Sequence, residues 1–95
     1  MALPAAAGDK AAAMNRRILE LAGEEKWQQI ADVVARRDAL LLRIPAADRE
    51  QALLDARACS EKLQTMAQAA KSRCAEQLAA IRRGRKAAES YRAHR

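Results

Sequence analysis

Apolar residues recur at helical spacing in three stretches of this chain. Met14, Ile18 and Leu21 are separated by four and then three positions, which puts them on one face of a helix. Asp9 is placed to cap that helix through its side-chain oxygen, and Gly23 is a natural stop where a left-handed residue is needed. The pattern predicts a first helix over about residues 10–22. Trp27, Ile30, Val34, Leu41 and Ile44, with Val33 and Leu40 beside them, mark a second helix over about 24–44, opened by Glu24 and Glu25 at the positive end of its dipole. The joint is so short that the two helices are expected to fold back as an antiparallel hairpin. Pro45 closes the second helix and is compatible with the first turn of a third.

The third stretch is the longest. Cys59, Leu63, Met66, Ala70, Cys74, Leu78, Ile81 and Ala88 keep close to a straight helical period, and Gly84 is the only glycine after Pro45. An unbroken helix over about 46–92 is roughly 70 Å long, against about 30 Å for the second. Folded back on helix two, it would be covered only to about Met66. The remainder is a light amphipathic overhang that can dimerise, bend back near Gly84 or receive a partner helix. Three leucines lie off these stripes. Leu19 and Leu42 are each displaced by about a third of a turn, and Leu54 is nearly opposite its stripe. Each is either local packing or part of a partner-facing groove.

The expected fold is all-α: an antiparallel three-helix bundle with a long C-terminal helix. Residues 1–8, small and bearing Pro4 and Gly8, are expected to be disordered, and the bundle to occupy 9–95 as one domain. Good helix formers dominate and strand formers are scarce. No apolar run approaches the roughly 20 residues that span a bilayer, and the first residues lack the basic and apolar regions of a signal peptide. A cytoplasmic protein with two free thiols is expected.

Charge sharpens the picture. Seven basic residues face six acidic ones before Pro45, five face five from there to Ile81, and six face Glu89 alone from Arg82 onward. The excess is therefore at the end of the third helix. Arg82, Arg83, Arg85 and Lys86 form either a solvated helix end suited to the dipole, a nucleic-acid contact, or a dock for an acidic protein surface. Charge alone supplies only non-specific affinity for nucleic acid, and no interleaved aromatics stand ready to stack bases.

Catalytic chemistry is not visible. The one histidine, His94, stands next to the C-terminus with no neighbour to make it a base, so no enzyme, metal or cofactor is expected. Cys59 and Cys74 are fifteen apart, about 22 Å on one helix, which is too far for a disulfide. Both fall on the apolar stripe and are expected to be buried thiols, with an intermolecular link as the alternative. Trp27 is expected to anchor the hairpin core, a partner hot spot being the other reading. Tyr91 is a helix-end packing residue or an exposed contact.

Two segments carry a resemblance. Ile18 to Leu41, ILELAGEEKWQQIADVVARRDALL, resembles the helical hairpin of the flagellar export chaperone family FliT: a leucine-rich end to helix one, a short turn, a Trp, then a second amphipathic helix. LAAIRRGRKAAESY resembles that family's closing pattern of a leucine-bearing helix, a basic patch and a flanked Tyr, here Tyr91, although Arg92 stands where the family has glycine. The resemblance implies a small type III export chaperone. It would bind the C-terminal region of the filament-cap protein FliD, prevent early assembly and deliver it to the export apparatus. Its implied partners are that client, the export gate and the export ATPase complex. Carried over, it points to Leu19, Leu21 and Tyr91. With the overhang and the off-stripe leucines, the expected client contacts are Leu19, Leu21, Leu42, Leu78 and Ile81. Tyr91, Arg82, Arg83, Arg85 and Lys86 are expected to dock at the export gate. The rival expectations are a basic module for nucleic acid and a coiled-coil structural subunit dimerising on helix three.

Overall fold

In a computed structural model, residues 7–94 are described. They form three α-helices and no strand: α1 (Ala7–Gly23), α2 (Trp27–Leu41) and α3 (Ala46–Ala93). The molecule is elongated, 79 × 24 × 17 Å. Its long axis is set by α3, whose 48 residues measure about 72 Å at 1.5 Å per residue.

The helix α1 starts earlier than its pattern predicts. Ala7 and Gly8, expected to be disordered, are already helical, and Asp9 lies in the first turn rather than capping it. The N-terminal residues 1–6 lie outside the described part. Where α1 stops, the residue in the left-handed region is Glu25 (φ 60°), and Gly23 is the last helical residue. Glu24 and Glu25 thus build the turn instead of opening α2. The Lys26 amide donates to the Leu21 carbonyl (2.9 Å) and the Glu25 amide to Ala22 (3.1 Å). This pair of bonds is the Schellman closure, which satisfies carbonyls that a helix end leaves orphaned.

At the other turn α2 ends at Leu41, so Leu42 to Ile44 connect the helices and Pro45 is the N-cap of α3, at φ −53° and ψ 144°. Arg49 reaches back from α3. Its Nη2 donates to the Ile44 carbonyl at 2.9 Å and to that of Leu42 at 3.5 Å, which ties off the end of the connection.

The helix α1 sits between the other two. It runs antiparallel to α2, since Asn15 meets Arg37 and Ala11 shares a cluster with Leu41. It runs parallel to α3: Ala11 clusters with Ala56, the Asn15 carbonyl accepts from Cys59, and Glu25 pairs with Arg73. The expected cover of α3 by helix two is therefore replaced by cover from α1. The small side chains of Ala11, Ala52 and Ala56 share one cluster and let the two axes approach. Ile18, Leu21, Ala22, Ile30 and Cys59 form the larger cluster, with Trp27, Val33, Val34, Leu63 and Met66 packed against it.

One buried charge joins all three helices. Arg37 of α2 is only 4 % exposed. Its Nη1 donates to Asn15 Oδ1 of α1 (3.2 Å), its Nη2 to Ser60 Oγ of α3 (3.4 Å), and Nε and Nη2 both donate to Asp38 Oδ1 (3.2 Å). Among the described residues, no buried side-chain nitrogen or oxygen lacks a partner. A buried guanidinium persists only under that condition.

Truncation of Arg37 should therefore be costly. We expect Arg37→Ala to lower the urea unfolding free energy by about 2–3 kcal/mol, because Asn15 and Ser60 lose a charged partner and a gap opens. Arg37→Met keeps the volume and should lose less than about 1 kcal/mol. An Arg37→Ala protein as stable as the parent would remove the three-way tie.

Candidate functional site

The cover on α3 ends about halfway. Met66 still packs on the core and Ala70 is half-buried, and the last tie is the ion pair of Arg73 Nη2 with Glu25 Oε1 at 3.0 Å. From Cys74 onward every described residue is exposed except half-buried Ala79. That is about 30 Å of helix with no neighbour among the described residues. It passes through Gly84 as one helix, so of the three alternatives for the overhang the bend back near Gly84 does not occur.

The apolar stripe does not stop where the cover stops. Cys59, Leu63, Met66 and Ala70 lie inward. On the same helical period Cys74, Leu78 and Ile81 continue outward into solvent, with Leu78 52 % and Ile81 58 % exposed. Arg82, Arg83, Arg85, Lys86 and Arg92 follow, all exposed, with Glu89 the only acid after Glu76. Tyr91 is 73 % exposed, so it is not packed at the helix end. The helix closes on His94, whose amide and ring Nδ1 both donate to the Ser90 carbonyl (3.2 and 2.9 Å). This free half of α3 is the candidate binding surface, an apolar stripe leading into a basic, tyrosine-bearing end.

The other sequence-derived contacts are dispersed. Leu21 is fully buried in the core, so it offers nothing to a partner while the fold is intact. Leu19 is half-buried between α1 and α3, lining a hollow with Asn15, Asp55, Ala58, Cys59 and Lys62. Its displacement from the Ile18/Leu21 face has a plain cause, since a helix between two neighbours needs apolar residues on two faces. Leu42 is 78 % exposed, but on the turn between α2 and α3. That turn is at the covered end of α3, roughly 45 Å of helix from Leu78. Leu42, Leu78 and Ile81 therefore do not form one groove. Leu54 is also exposed.

Sequence reasoning missed Arg37 entirely. Its neighbour Asp38 and the surrounding charges make it look like part of a solvated face, and the only signal is its position on the inner side of α2, one turn before Leu41. Among the described residues there is no group of three or more His, Cys, Asp or Glu side chains placed to hold a metal. No helix among them is long and apolar enough to cross a membrane.

A sequence model of the family described as "Flagellar protein FliT" matches residues 6–93, nearly the whole chain. No curated protein and no solved structure matches it.

The two cysteines report the two halves of α3. Cys59 is buried, and its thiol donates to the Asn15 carbonyl at 3.5 Å. Burial pushes its pKa up, against an opposing pull from Arg37. Cys74, expected inside, is exposed because the helix that would cover it has already ended. A thiol-specific reagent at pH 8 should therefore label Cys74 rapidly. Cys59 should react only on opening, at least roughly a hundredfold more slowly. Equal rates would contradict the boundary placed between Arg73 and Cys74.

Proposed function

The chain belongs to the FliT family, and on that premise we propose that it is a cytoplasmic chaperone of type III flagellar export. It holds the C-terminal region of the filament-cap protein FliD, keeps it from assembling early and hands it to the export apparatus. The observation that most supports this reading is the stripe that continues past its own cover. Leu78 and Ile81 stand more than half exposed on a helix whose earlier stripe residues are packed inside.

The mechanism is masking. A helix of the client lies along Leu78 and Ile81 as α1 lies along Cys59 and Leu63. Client surface that would otherwise polymerise is covered. No nucleotide, metal or covalent step takes part. The basic end then meets an acidic surface of the export gate or export ATPase complex. Arg82, Arg83, Arg85 and Lys86 supply the encounter rate and Tyr91 an amphipathic contact.

Two other readings fit less well. A nucleic-acid module would need aromatics between the cations, and Tyr91 is the only aromatic after Trp27. A structural dimer with two α3 overhangs side by side in parallel would set Arg82, Arg83, Arg85, Lys86 and Arg92 against their own copies.

The test is a charge on the free stripe. Leu78→Glu with Ile81→Glu replaces two exposed side chains, so helical content and unfolding midpoint should match the parent. Affinity for the C-terminal half of the filament-cap protein should fall at least about tenfold. A folded double variant that binds the client as tightly as the parent would exclude the overhang as the client surface.

A further inference from the structure

A second surface lies on the covered half of the molecule. Lys10, Ala13, Met14 and Arg17 follow at i, i+3, i+4 and i+7 on α1, which makes them neighbours on one helical face. With Val33 and Arg36 of α2 they line an open hollow of about 420 Å³ in the α1–α2 groove. None of these six residues belongs to α3. The floor is apolar, since Met14 and Val33 are only half-buried and Ala13 is exposed. The rim is cationic, with no acid among the lining residues.

We infer that this hollow docks an acidic amphipathic helix from a protein partner, whose apolar ridge rests on Ala13, Met14 and Val33 between carboxylates facing Lys10, Arg17 and Arg36. Charge complementarity selects this occupant. Arg17 and Arg36 are held only by exposed pairs on their own helices, with Glu20 at 3.4 Å and Asp32 at 2.9 Å. Such pairs contribute little in water, so an incoming carboxylate exchanges with them at small cost. Lys10 has no ion-pair partner among the described residues. From Lys10 to Arg17 the rim runs about 10 Å, the length of two helical turns, which matches a ridge of residues at i, i+3 or i+4, and i+7. A second copy of this chain is a poorer occupant, because its free half is itself basic.

This surface is separate from the free half of α3, but that half also carries an apolar stripe and a basic end, so the test is run in a chain whose overhang charge is reversed by Arg82→Glu with Arg85→Glu. The probe is a fluorescent amphipathic peptide with a leucine stripe flanked by glutamates, and a control in which glutamine replaces each glutamate. Binding is read by anisotropy at moderate salt against the full chain. Lys10→Glu with Arg36→Glu reverses two exposed rim charges and should weaken glutamate-peptide binding at least about fivefold, with the helical signal unchanged. Reversal of the overhang removes only the share of the peptide held there, so the binding that remains should still be lost with Lys10 and Arg36. The glutamine peptide should bind more weakly than the glutamate one, and the glutamate peptide should shift the methyl resonances of Met14 and Val33. The proposal is overturned by absence of binding to the overhang-reversed chain, by binding there that is indifferent to Lys10→Glu with Arg36→Glu, or by unmoved Met14 and Val33 resonances.

Discussion

A helix of 48 residues cannot be covered by partners of 17 and 15. The molecule's organisation depends on this mismatch. Along its first half α3 is a core element. Along its second half it is an amphipathic rod that, among the described residues, is held in line by its own backbone hydrogen bonds and by good helix formers such as Ala, Arg, Lys and Glu. An isolated helix must first form a costly nucleus before it can propagate. The covered half therefore serves as a preformed nucleus from which the free half extends without paying again for initiation.

The covered half works with little material. Its fully enclosed apolar residues include Ile18, Leu21 and Ile44, and much of the rest of the core is alanine. Small side chains permit close axes but remove little surface from water. Specificity is correspondingly placed in polar groups. Arg37 reads the register of all three helices through Asn15 and Ser60, and a slip of either helix by one turn would take away one of these partners and leave Asp38 to hold the buried guanidinium with the other. Arg49 and the Schellman closure at Glu25 tie the two connections in the same way, by consuming carbonyls that would otherwise be orphaned. The core is thus a modest hydrophobic cluster whose geometry is set by directional bonds.

Much of this is legible in the residue pattern. The three apolar stripes, Pro45 as the hinge between α2 and α3, and the length of the third helix all follow from spacing and helix chemistry. What misleads is the neighbour relation. Periodicity says which face of α3 is apolar but not which helix lies on it, so α2 is expected where α1 is found, and Leu19, left open between local packing and a partner groove, stands half-buried towards α3. The length mismatch does place the end of cover near Met66, and Cys74 is expected inside only because its stripe position is read without that limit. Gly23 and Glu25 show a local limit. Glycine is the better candidate for a left-handed residue, but the bond pattern at the turn assigns that conformation two positions later. Arg37 is illegible because an arginine between charged neighbours has the same sequence signature whether it is solvated or clamped.

The proposed function rests on one structural division, a covered body from which half of α3 projects. Amide hydrogen exchange along α3, with and without the C-terminal half of the filament-cap protein, tests that division most directly. In the isolated chain, amides from about 50 to 72 should be protected and those from 76 to 93 should exchange orders of magnitude faster. The client should slow exchange around Leu78 and Ile81 and leave the covered half unchanged. Uniform protection of α3 in the isolated chain, or client protection confined to α1 and α2, would contradict the account.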